Sequence, residues 1–199
     1  MGSPRIPGGT AAELANAVES YRETNDFSVL LDRLLAISVA ADLDELIAAV
    51  EPYRTIPEIA GPVYERVVAE RPHDARALVT LANSYWLSGR GAEATGELAQ
   101  RAMAADPENR AAWHLWALTE PEPRARMTRW KQVTERFPAD DLACATLADA
   151  AASVAGAEKD REALQLAIRS YDALLKTAEL PEQKTALEGA LATLRAWNL

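Results

Sequence analysis

Cys144 is the only cysteine among 199 residues, so no disulfide can form within the chain and a reducing compartment suits it. Histidine is almost as scarce. His73 and His114 belong to no HExxH, Cys/His metal or nucleophile-elbow pattern, and no glycine-rich phosphate loop is present. These absences argue against an enzyme and against a bound metal or other cofactor. Long apolar runs are missing too. The longest strongly apolar stretch, LLAISVAA, is far shorter than the roughly 20 residues that span a bilayer. Bases are outnumbered, with 21 Lys and Arg against 30 Asp and Glu, and a net charge of −9 disfavours nucleic acid or anionic lipid as the main partner. The opening MGSPRIPGGT has no apolar core of the signal-peptide kind, so residues 1–9 are read as a flexible leader and the expected compartment is the cytoplasm.

What the chain does contain is helix-forming. Apolar residues make up 49% of it and alanine alone roughly a fifth, a composition that favours helix over sheet. Apolar residues recur at helical spacing, as in Leu14–Val18–Tyr21 and Leu187–Leu191–Leu194, and no stretch alternates long enough for a strand. Helix starts are marked by Thr10–Glu13, Asp42–Glu45 and Thr55–Glu58, which fit the capping box or its Asp variant. Asp74, Asn109 and Asp140 mark three more. About eleven helices are expected, starting near residues 10, 27, 43, 56, 75, 91, 110, 121, 140, 159 and 181. Their short connections imply antiparallel hairpins.

The hairpins repeat. Pro72, Pro107 and Pro138 close helices at intervals of 35 and 31 residues. Residues 77–109, ALVTLANSYWLSGRGAEATGELAQRAMAADPEN, resemble the tetratricopeptide repeat. Leu81–Ala82 match its large–small pair, Tyr85–Trp86 its aromatic and Gly89 its turn glycine. Ala94 and Ala102 match its small residues and Pro107 its closing proline, with one residue inserted between the two alanines. Ala60, Tyr64, Val67 and Pro72 upstream show the second-helix spacing without an insertion. Trp113, Trp130, Val133 and Pro138, then Ala167, Tyr171 and Leu174, continue it in more degenerate form. The resemblance covers residues 42–178, preceded by a non-matching helical pair over 10–41 and followed by a capping helix over 179–199.

The resemblance implies an all-α, right-handed solenoid of stacked antiparallel hairpins, and a non-catalytic adaptor or assembly factor that binds protein or peptide in a concave groove. It places Arg76, Val79, Asn83 and Trp86, then His114 and Leu118, then Asp149 on the groove-lining helices. A groove Asn can serve a peptide backbone as both donor and acceptor, although Asn83 is equally well explained as a solvated polar residue. Trp86 and Tyr85 are adjacent, so one of them should pack within the hairpin and the other should face outward. Some domains of this family clamp an acidic tail with lysines, arginines and asparagines. Here Val79, Ala145 and Asp149 occupy that surface, so such a ligand is not expected.

A basic island, Arg124, Arg126, Arg129 and Lys131, is read either as a docking patch for an acidic partner or as a solvated face paired with neighbouring acids. Two alternatives stay open. One is a self-associating scaffold that uses an outer face and the terminal residues Trp197 and Leu199. The other is an enzyme or small-ligand carrier with a pocket near His114. The oligomeric state expected is a monomer or a weak homo-oligomer.

Overall fold

In the computed structural model, which describes residues 8–199, every regular element is helical. Apart from Gly8 and Gly9, the leader expected over residues 1–9 lies outside the described residues. Eleven α-helices follow in order: α1 (Thr10–Thr24), α2 (Phe27–Ala40), α3 (Leu43–Val50), α4 (Pro57–Glu70), α5 (Ala75–Leu87), α6 (Ala92–Ala105), α7 (Arg110–Leu118), α8 (Pro123–Arg136), α9 (Asp141–Glu158), α10 (Arg161–Thr177) and α11 (Pro181–Arg195). A single 3-10 turn, Glu51–Tyr53, extends α3. The chain divides into two compact units, Met1–Leu115 and Trp116–Leu199.

Short carboxylate and amide side chains set most of the starts. Asp74 accepts from the Ala77 amide, Asn109 from Ala112 and Asp140 from Ala143, at 3.0–3.2 Å. Each satisfies one of the backbone donors a first turn leaves free. Asp42 caps α3 in the same way, through the amides of Asp44 and Glu45. The two threonine boxes fail. Thr10 is already inside α1 and buried, and its hydroxyl donates to the Glu45 carboxylate of α3 at 3.0 Å. Ile56, not Thr55, precedes α4, with Pro57 at the first helical position. Asp26, Glu122 and Asp160 supply caps for α2, α8 and α10. The Glu122 and Asp160 carboxyls are held below the usual carboxylate range, chiefly because backbone N–H groups bond the ionised form and secondarily because Arg124 is beside them.

In the first unit α1 packs on α2 and α3, α2 and α3 pack on α4, and α4, α5 and α6 follow in sequence. Leu14, Leu30, Leu34, Leu46, Ile59 and Leu78 fill its interior. Alanines let the backbones approach: Ala60, Ala82, Ala99 and Ala102 are wholly buried, and a methyl placed on Gly61 would lie 3.6 Å from the Ser84 side chain of α5. Burial also corrects the reading of α6. Thr95, Ala99 and Ala102 turn inward, together with Gly96 and Leu98, while Ala94 is only half-buried. Thr95–Ala99–Ala102–Pro107 has the same 4-3-5 spacing as Ala60–Tyr64–Val67–Pro72, so no residue is inserted. A buried threonine in the small-residue position hides the register. Its hydroxyl is satisfied by donating to the Gly91 carbonyl one turn back.

In the second unit α8, α9, α10 and α11 pack in sequence. Its core joins Ala151, Val154 and Ala155 of α9 to Ala163, Leu164 and Ala167 of α10, and Leu194 of α11 closes it. The α11 stripe Leu187–Leu191–Leu194 faces inward as its spacing predicts. Arg195 fastens the helix to Asp172 of α10 through both carboxylate oxygens, at 2.8 and 3.0 Å. Beyond α11 the Trp197 ring lies against Gly156, whose missing methyl would sit 3.3 Å from it.

Packing and capping make separate demands on stability. Ala82→Leu places an isobutyl group where only a methyl fits and should cost about 1–3 kcal/mol by overpacking. Asp140→Ala, at a buried cap, should cost about 1–2 kcal/mol, whereas Asp26→Ala at an exposed one should cost about 0.5 kcal/mol. Urea unfolding followed by circular dichroism measures each of them.

Candidate functional site

Helix α5 lines a cleft of the first unit, a cavity of about 500 Å³. Its apolar lining includes Val79, buried on α5, and Leu87 at the helix end, which is 64% exposed. Asn83 lies between them and Asn109 faces them from the start of α7. Among the described residues the Asn83 amide meets no partner, so both its donor and its acceptor are open to a ligand. Asn109 has committed its oxygen to capping α7, which leaves its amide donors.

Arginines occupy the other edge. Arg76 and Arg54 share one carboxylate, Glu51, at 2.6 and 3.7 Å, which gives the edge an excess of one positive charge. Beneath it Tyr64 is buried, and its hydroxyl is pushed above its ordinary pKa by that burial and then by the Glu51 charge, with Arg76 and Arg54 pulling the other way. Tyr64 therefore stays a neutral phenol, and the charge presented by the cleft comes from the Arg–Glu group above it.

The cleft thus unites three of the seven residues expected in a groove: Arg76, Val79 and Asn83. Trp86 is exposed but lies outside the cleft lining, where its neighbour Leu87 stands instead. The adjacent aromatics separate as geometry requires. Tyr85 turns into the hairpin, donates to Glu65 at 3.0 Å and lies under the Arg90 guanidinium at 4.7 Å. The cleft reaches α7 at Asn109 and Ala111 rather than at His114, which is half-buried further along that helix. Leu118 is exposed at the end of α7. Asp149 belongs to α9, where it accepts the Tyr171 hydroxyl. Burial, with this carboxylate beside it, pushes that phenol up to about 12.

The basic island has intramolecular partners. Arg124 reaches Glu158 and Asp160, both at 2.5 Å. Arg126 donates to the carbonyls of Glu120 and Pro121 at 2.6 and 2.9 Å. Arg129 is bound most tightly: it pairs with Glu120 at 2.5 Å, donates to the Trp116 carbonyl and stacks on the Trp116 ring at 4.6 Å. Lys131 has Glu135 one turn on, at 3.7 Å. The guanidinium groups therefore close the loop before α8 and tie its start to the α9–α10 corner, which favours the paired-face reading over a docking patch. Lys131 still edges a shallow groove between α8 and α10, with Met127, Thr128, Leu166 and Arg169.

Among the described residues no three His, Cys, Asp or Glu side chains converge to hold a metal ion. The Cys144 thiol is half-buried, and burial raises it above its ordinary pKa, the opposite of what a reactive thiolate needs. No helix among the described residues is long and apolar enough to cross a membrane.

No family model matches the chain, and no curated protein sequence matches it. Solved structures do. Two crystal structures of MamA superpose with TM-scores of 0.61 and 0.59, at 17% and 16% identity, covering 81% and 87% of this chain and 96% and 100% of theirs. A thermophilic TPR protein of Thermus thermophilus matches at TM-score 0.52 and 15% identity, over 95% of this chain and all of its own. At such identities the likeness is one of fold, and it agrees with the repeated 4-3-5 burial spacing: the chain has an all-α fold of the tetratricopeptide-repeat type.

Proposed function

We propose that this chain is a non-catalytic adaptor or assembly factor that holds an extended segment of a partner protein in the α5 cleft. The observation that carries this reading is the pairing of Asn83, whose amide is uncommitted, with the exposed Leu87 one turn away on the same wall. An extended segment offers alternating backbone N–H and C=O groups, which an amide can bond at both ends, and side chains that need an apolar seat. Val79 and Leu87 provide the seat, and the shared Arg54–Glu51–Arg76 group sets the charge at one edge. A fold of stacked hairpins suits this task because it supplies a rigid wall without a catalytic set. The reading carries a cytoplasmic location with it, supported by the single cysteine.

The test is a quantitative pull-down from the native host with wild type, Asn83→Ala, Leu87→Glu and Lys131→Ala as baits, followed by titration of the recovered partner. Asn83→Ala should weaken binding about ten-fold, or about 1.4 kcal/mol, and Leu87→Glu more. Trp86→Ala should have the smaller effect of a residue beside the cleft, and Lys131→Ala none. Unchanged affinity in both cleft variants, with helicity intact, would overturn the reading.

A further inference from the structure

The α5 cleft carries its charge at one edge. Among the described residues Arg54 and Arg76 are the only charged side chains that line it. Glu51, outside the lining, meets both through the same carboxylate oxygen, at 3.7 Å from Arg54 and 2.6 Å from Arg76. The longer distance is beyond a hydrogen bond, and the Arg54 guanidinium makes none elsewhere among the described residues. One carboxylate thus serves two guanidinium groups. Most of their N–H donors are left to water: the Arg76 side chain is 66% exposed and that of Arg54 42%.

That wet edge selects what can lie in the cleft. A segment that covers it strips water from two cations, and a neutral side chain returns nothing for the water lost. A carboxylate does, because its two oxygens suit the paired N–H groups of a guanidinium. Charge sets how many. The edge is in excess by one, in a molecule of net −9, so a single acid is matched and each further one meets repulsion. A phosphate, at nearly two negative charges, overshoots. The distance from the acid to the apolar seat is set by α5 itself. Leu87 stands three helical turns beyond Arg76, about 16 Å along the axis, which an extended chain covers in about five residues. The Arg76 side chain can lean toward Leu87 and shorten that span to about three.

Resting on the reading of the cleft as a seat for an extended segment, we infer that the partner presents a single acidic side chain, Asp or Glu, about three to five residues from an apolar one. The acid takes the Arg54–Arg76 edge, the apolar side chain takes Val79 and Leu87, and Asn83 bonds the backbone between them. Such a segment differs from an acidic tail, which brings several charges at once.

The test is selection from displayed random segments of about a dozen residues, flanked on both sides, on the full chain and on Asn83→Ala and Leu87→Glu as counter-baits. Segments that need Asn83 and Leu87 should be enriched in one Asp or Glu at that distance from Leu, Ile, Val, Met or Phe. Made as peptides with blocked ends, they should lose about five-fold in affinity when the acid is replaced by its amide. On Arg76→Glu the selection should return Lys or Arg in place of the acid. Should that variant lose helicity, Arg54→Gln decides instead: it removes only the excess charge, and the preference for the acid should vanish with it. Segments that need Asn83 and Leu87 but show no acid, or keep it against the arginine variants, overturn this inference and leave the cleft reading standing. If no segment needs Asn83 and Leu87, the cleft reading falls and this inference with it.

Discussion

The close approach of sequential helices across residues with little or no side chain is the contact on which the rest depends. Ala60, Thr95, Ala99 and Ala102 are fully buried on second helices, and Ala82 is buried on the first helix facing them. Where these residues stand, two helices can meet near the short end of the usual interaxial range, and larger neighbours such as Leu78 and Val63 fill the flanks. Dispersion falls steeply with separation, so such a contact rewards small residues at the seam more than it rewards bulk. Alanine at roughly a fifth of the chain is thus a packing requirement as well as a helix preference. The same requirement fixes which face α5 leaves over. With Ala82 and Leu81 turned to the partners, Asn83 and Leu87 are obliged to look elsewhere, and that residual face is the cleft.

The fold is largely legible in the sequence because its signals are local. Prolines at 72, 107 and 138 stop helices whatever surrounds them, and Asp74, Asn109 and Asp140 each cap through the backbone amide three residues on. Sequence misleads where a residue's role is decided at a distance. Thr10 has the side chain of a cap but the burial of a core residue, because Glu45 of α3 offers its hydroxyl an acceptor 35 residues away. Thr95 reads as polar through its hydroxyl, and only the Gly91 carbonyl one turn back makes it an effective substitute for alanine in the core.

The site is less legible for the same reason. On a helix, Trp86 and Leu87 stand about 100° apart, so the choice between them rests on a rotation that periodicity does not resolve. The larger aromatic is the stronger candidate by residue type, yet the cleft has the leucine. The basic island shows the converse. Its charges are plain in the sequence, but Glu158 and Asp160, which engage Arg124, lie 34 and 36 residues downstream. Proximity in sequence makes the bases look like a patch. Proximity in space makes three of them parts of the fold.

Charge and apolarity are therefore distributed by different rules in this molecule. Arginines are spent internally, on carbonyls at a loop and on acids at a corner, and the chain as a whole keeps its acidic excess. Under that excess, contacts with other molecules are favoured where charge is low. In the first unit the α5 cleft is such a place: Glu51 offsets one of the two arginines at its edge, Arg54 and Arg76, and leaves a single net positive charge. Helix α4, with eight of its residues buried, packs against α5 and also against α2. Dense packing transmits displacement, so a shift of α5 at the cleft would be felt in α4 and through it in α2.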